Sequence, residues 1–271
     1  FDIRISNFSC QKNTKITTKG LRIPFSGRYE RQEHMGLISL LIFLPLAGAV
    51  LIALGPREKP GLLRGIALTT SVVTFLLSLG LLTNFVAGEG GFQLVETRPW
   101  VPGLGITYRV GIDGISLFLV LLSTLLSVVA MAASWSDIKV RVKEFMICLL
   151  FLETGMIGVF VALDLFLFYV FWDVMLIPMY LLIGIWGNPG RRIYAAVKFF
   201  LFTMFGSLLM LVAILVIYFY HGKTTGMYTF DLMSWYNLKL PLSMQIWLFL
   251  AFGLAFAIKV PMFPFHTWLP D

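Results

Sequence analysis

Long, uninterrupted apolar runs dominate the chain. Seven of them, 36–55, 65–87, 114–136, 145–163, 165–187, 193–220 and 243–265, approach or exceed the roughly 20 residues a helix needs to cross a hydrocarbon core about 30 Å thick. The runs are continuously apolar and do not alternate, so they predict helices and exclude the strands of a membrane barrel. The first three carry no charged residue, and each of the other four carries one: Glu153, Asp173, Lys198 and Lys259. The pattern predicts an all-α integral membrane protein with about seven transmembrane helices over 35–271, behind a polar segment at 1–34.

The fourth and fifth runs nearly fuse into 43 residues, 145–187. As one helix they would measure about 65 Å, twice the hydrocarbon core. The chain must therefore turn, and Asp164 is the one charge between Glu153 and Asp173. Both of those acids then lie about 14–16 Å from the turn, near the membrane midplane.

Charge sets a topology. The odd-numbered loops hold eight bases (Arg57, Lys59, Arg64, Lys139, Arg141, Lys143, Arg191, Arg192), and the even-numbered loops hold four (Arg98, Arg109, Lys223, Lys239). The positive-inside rule places the odd loops in the cytoplasm and the N-terminus outside. The polar segment 1–34 contributes +4 of the formal net charge of +7, which puts a basic tail on the wrong side. It lacks an apolar stretch long enough for a signal peptide. Met35 directly precedes the first spanning run, so the expectation is that Met35 is the natural start and that 1–34 is not native.

Composition agrees with the membrane reading. Hydrophobic residues make up 58 % of the 271 residues and charged residues 13 %, against about 25 % charged in soluble domains. Cys10 and Cys148 are too few and too far apart for a disulfide framework. His34, His221 and His266 show no ligand spacing. With no GxGxxG, phosphate loop or CxxC motif, no cofactor and no metal is expected in this chain.

Chemistry is therefore sought where the apolar pattern breaks. A charge at mid-bilayer costs at least about 2.5–3.5 kcal/mol and needs a partner or water. Asp173 has Pro178 five residues on, and the proline leaves the carbonyl of Val174 without its helical donor. Burial disfavours the charged form of a carboxyl and a neighbouring cation favours it, so a group under both influences loads and unloads a proton as the cation moves. The alternative is a static ion pair between helices. Lys259 precedes Pro261 and Pro264, which free the carbonyls of Ala257 and Val260. A lysine among broken turns suits a water-lined cavity; the alternative is an anchor that reaches to the surface. Glu153 is either a second titrating acid or a hydrogen-bonded structural one. Lys198 is a proton-path residue or a topology-setting base. His266 passes protons or caps the end of the seventh helix. The residues by themselves point to a proton or cation pathway and leave its energy source open.

These blocks resemble a known family. The run FLFYVFWDVMLIPMYLLIGIWG at 166–187 is similar to the fifth helix of the antiporter-like subunits of respiratory complex I, most of all subunit M, the counterpart of mitochondrial subunit 4. RRIYAAVKFFLFTMFGSLLML at 191–211 resembles the sixth helix. FAIKVPMFPFHTWLPD at 256–271 resembles the discontinuous seventh helix and the following loop, and YRVGIDGISL at 108–117 the opening of the third. The resemblance implies a partial antiporter-like inverted-repeat fold and a proton-translocating role in the membrane arm of NADH:quinone oxidoreductase. Redox energy and the redox cofactors would belong to partner subunits. It assigns the helix-five acid to Asp173 and the helix-seven lysine to Lys259, and gives Lys198 and His266 positions that are commonly polar.

Two departures stand out. The family acid on helix five is usually glutamate, and Asp173 is one methylene shorter, about 1.5 Å less reach. An ion pair to a neighbouring lysine is then expected to lengthen toward a water-bridged one, with weaker coupling. The family also continues with further helices, so the chain is expected to be a fragment that does not translocate protons alone. A Na⁺/H⁺ antiporter subunit, a membrane-bound hydrogenase subunit and a structural remnant without transport are the rival readings. A bacterial inner membrane is the expected location.

Overall fold

The computed structural model describes residues 36–269; the segment 1–34 and the assignment of Met35 as the start lie outside them. Among the described residues, seven helical spans are long and apolar enough to cross a membrane. They are α1 (Leu37–Leu54), α2 (Pro60–Asn84), α3 (Gly114–Asp137), α4 (Val142–Val161), the interrupted pair α5 (Leu165–Val174) and α6 (Leu176–Trp186), α7 (Arg192–Thr225) and α9 (Leu242–Lys259). A single-turn α8 (Leu232–Trp235) lies between the last two. The all-α membrane fold read from the apolar pattern is therefore present.

Several boundaries differ from the sequence expectation. The second helix starts at Pro60, not 65, because proline is pre-set for the first helical position. α4 begins at Val142 rather than 145, taking Lys143 and Glu144 into its first turn. α7 has 34 residues, about 51 Å of helix, and its polar last turns outrun the hydrocarbon core. The seventh span ends at Lys259 rather than 265.

The largest departure is a hairpin, β1 (Gln93–Val101) paired antiparallel with β2 (Ile106–Ile112). The apolar pattern leaves 88–113 as loop before the third run at 114–136, and the family resemblance takes 108–117 as the opening of helix three. That helix begins at Gly114, after Asp113, whose carboxylate accepts from the backbone N–H of Ile115 and Ser116. The hairpin covers one end of the bundle. Its Glu96 carboxylate accepts from the backbone N–H of Ile38 at 2.8 Å and from the Ser39 hydroxyl. This supplies the cap that Gly36 lacks at the start of α1. Tyr108 meets the same hydroxyl at 2.8 Å, and burial raises its phenol above the ordinary value. Beside Tyr108 on β2, Arg109 forms an ion pair of 2.5 Å with Asp231.

The expected turn falls where the sequence put it. Asp164 is fully buried and joins the hairpin to α5. One carboxylate oxygen accepts from the backbone N–H of Phe166 (3.0 Å) and Leu167 (3.1 Å). The other accepts from the backbone N–H (2.9 Å) and hydroxyl (3.1 Å) of Thr107. Burial pushes this carboxyl above its usual range, against the pull of those four hydrogen bonds.

α4 is the most enclosed span. Two glycines let α5 lie against it: a Cβ at Gly155 would overlap the Met175 side chain, and one at Gly158 would overlap the Phe171 ring. Small residues that permit close helix approach are the usual packing device in lipid, where apolar burial gives little net gain.

Candidate proton-carrying site

The break in the fifth span lies at Met175, between α5 and α6, three residues before Pro178. The missing proline N–H withdraws the donor that Val174 needs, and the helix reforms after one residue. Asp173 stands in the last turn of α5. Its Oδ1 is buried and has no hydrogen-bond partner among the described residues. One turn earlier, the Tyr169 hydroxyl lies within reach of both Asp173 and Ser207 of α7.

The seventh span ends on Lys259 itself. The backbone N–H of Met262 bonds the carbonyl of Ala257 at 2.8 Å, so the acceptor released by Pro261 is taken up within the turn. Its Nζ sits 4.8 Å from the centroid of the Trp172 ring, a cation–π contact. Trp172 in turn packs edge-on against Phe256 of α9, with centroids 5.7 Å apart. Asp173 and Lys259 act on each other electrostatically but form no direct ion pair. The two breaks thus bring the acid and the lysine to one place and leave a gap between them, with an aromatic ring on the lysine side.

The other expected residues are not gathered there. Glu153 is fully buried in α4 and accepts from the Ser71 hydroxyl of α2 at 3.1–3.2 Å. It belongs to a polar seam with the buried Thr74 and Ser78, the latter 3.0 Å from Thr124 of α3. Lys198 stands in the second turn of α7, its Nζ 5.7 Å from the Tyr194 ring centroid. His266 lies in a separate short turn, Phe265–Trp268, and is exposed. It does not cap the seventh helix, whose end is closed by the Val260 N–H on the Phe256 carbonyl. Pro264 precedes that turn, and Trp268 folds back to donate to the Ile258 carbonyl at 3.0 Å.

Trp172, Tyr169 and Ser207 are the neighbours that residue types alone did not single out as site members. A signal existed for two of them, since Tyr169 and Trp172 precede Asp173 by four and one residues on an apolar helix. Ser207 is brought in by packing across helices.

The transmembrane-domain profile of the NADH:quinone oxidoreductase/Mrp antiporter family matches residues 162–271. The match takes in 110 of the 271 residues. The matched stretch includes Asp173, Pro178, Lys198, Lys259, Pro261, Pro264 and His266, and leaves Glu153 outside. NADH-quinone oxidoreductase subunit M of Rhodobacter capsulatus is 48 % identical over 87 % of this chain and 47 % of its own length. NADH-ubiquinone oxidoreductase chain 4 of Chondrus crispus is 46 % identical over 84 % of this chain and 45 % of its own. Among solved structures, a chain of respiratory complex I from Thermus thermophilus with bound NADH superposes with a TM-score of 0.72 at 33 % identity. That match covers 86 % of this chain and 46 % of the other. The chain spans about half the length of the curated relatives it matches.

Proposed function

We propose that this chain carries protons across a membrane as an antiporter-like subunit of a complex I-type NADH:quinone oxidoreductase, with Asp173 and Lys259 as the proton-handling pair. The observation that carries the reading is the gap: a buried, unpartnered Asp173 oxygen in electrostatic reach of a lysine held on an aromatic face. When the ammonium approaches, the carboxylate stays charged. When it withdraws, the carboxylate takes a proton from water, and the ammonium's return expels it. Trp172 gives the lysine a second resting place, so the approach is adjustable. The short aspartate arm keeps the pair apart and makes the coupling weaker than a glutamate would.

Electrons move in other subunits, and the partners are the other membrane-arm subunits of such an assembly. The bacterial inner membrane is the proposed location, with the loops bearing Arg57–Arg64, Lys139–Lys143 and Arg191–Arg192 on the cytoplasmic side. The test is Asp173→Asn in the assembled oxidoreductase, comparing NADH oxidation with proton pumping in membrane vesicles. Pumping per NADH is expected to fall; undiminished pumping would overturn the proposal.

A further inference from the structure

At the end of the bundle away from the hairpin, the loops after α1 and α3 form a cleft of about 530 Å³. Four bases line it, Arg57, Lys139, Arg141 and Lys143, against one acid, Glu144. We propose that this cleft binds the phosphate group of an anionic phospholipid. The proposal does not depend on proton carriage by Asp173 and Lys259.

Part of the charge is spent on building the cleft. Arg57 pairs with Glu144 at 3.0 Å. The Lys143 ammonium donates to the Gly55 carbonyl at 2.8 Å, tying the start of α4 to the end of α1. Arg64 donates to the Ile138 carbonyl at 2.6 Å, which fixes the α3–α4 loop against α2. The side chains of Lys139 and Arg141 are exposed and make no hydrogen bond or ion pair among the described residues. Two cations are thus left open in a concave frame whose walls are bonded. The positive-inside rule accounts for bases on this face of the membrane. It does not account for bases from two loops meeting in one cleft.

The surroundings favour a lipid over a free anion. The cleft lies where four spans end, at headgroup level. Val140, between the two open cations, is 68 % exposed, and Leu54 at the end of α1 is 81 % exposed. Trp186 donates to the Val140 carbonyl at 2.8 Å, and a tryptophan at a span end marks the interface. A phosphodiester with attached acyl chains satisfies the cations and these apolar residues together; inorganic phosphate satisfies the cations alone. Basic pockets between transmembrane helices are a recognised way to hold anionic headgroups.

The test uses the full chain in nanodiscs of phosphatidylcholine doped with phosphatidylglycerol, with retained lipid read by native mass spectrometry. Wild type is expected to retain phosphatidylglycerol over phosphatidylcholine, and to keep it in 50 mM-order inorganic phosphate. K139Q/R141Q is expected to weaken retention about thirtyfold, which is about 2 kcal/mol at about 1 kcal/mol per base near the surface. Arg141→Lys keeps the charge and is expected to retain most of the binding. Without any variant, amine labelling of Lys139 relative to Lys223 in the same molecules should drop when phosphatidylglycerol is present. Retention of the two lipids in proportion to their supply, displacement by inorganic phosphate, wild-type retention by K139Q/R141Q, or unchanged Lys139 labelling would each overturn the proposal.

Discussion

Gly158→Ala is a small change with a calculable penalty. The new methyl carbon would stand 2.6 Å from Phe171 Cδ2 and closer still to two other ring atoms, where ordinary contact is about 3.5–4.0 Å. Relief requires a shift of about 1 Å. Phe171 is 7 % exposed and belongs to the cluster packed under the hairpin, so the ring has little room and α5 must yield. Overpacking of this kind costs about 1–3 kcal/mol. Gly253→Ala in α9 is the control, because nothing lies within 4 Å of its added carbon, and alanine is the better helix former. Unfolding of the two variants in mixed detergent micelles, titrated with a denaturing surfactant, reads the difference. Gly158→Ala should lose stability while Gly253→Ala holds or gains. If Gly158→Ala matched the control, the close α4–α5 approach that aims Asp173 would be wrong.

Other outcomes follow from the same contacts. Glu153→Gln keeps an acceptor for Ser71 and should leave stability near wild type, whereas Glu153→Ala opens a buried gap beside an orphaned hydroxyl and should cost about 2–4 kcal/mol in the same titration. Asp164→Ala removes four accepted hydrogen bonds and should cost about 2–4 kcal/mol; Asp164→Asn should cost less. Because burial raises the Asp164 carboxyl, its contribution is present at low pH and is lost as pH rises through the folded-state value. The difference in stability between wild type and Asp164→Asn should therefore move toward the asparagine variant with rising pH, and a pH-independent difference would contradict this. Asp173→Glu returns a methylene, about 1.5 Å of reach, and should raise pumping per NADH; an unchanged or lower value would show that the short arm is no weakness.

The spans were legible because each is a long apolar run, and lipid leaves a chain few other ways to satisfy its backbone. The turn at Asp164 was legible because 43 residues do not fit one crossing. Both helix breaks were placed near their prolines, but the seventh span ends at Lys259, since two prolines within six residues leave no full turn to continue. The hairpin was missed. Its strands mix β-branched, charged and aromatic residues beside a strong helix signal, and their pairing depends on contacts such as Arg109–Asp231, 122 residues apart. Asp173 and Lys259 stood out as charges in apolar runs. Trp172 as the lysine's neighbour did not, because a cation–π contact between α5 and α9 depends on how the helices face each other. The same holds for Glu153 with Ser71, a meeting of two separate spans.

The central claim is that Asp173 and Lys259 work as one unit. A double-mutant cycle tests it directly: protons pumped per NADH oxidised in vesicles bearing the assembled oxidoreductase with Asp173→Asn, Lys259→Met or both. If the pair is one unit, each single change lowers the ratio and the double change lowers it no further than the worse single. Independent losses that multiply in the double variant, or a ratio unaffected by either change, would contradict the account.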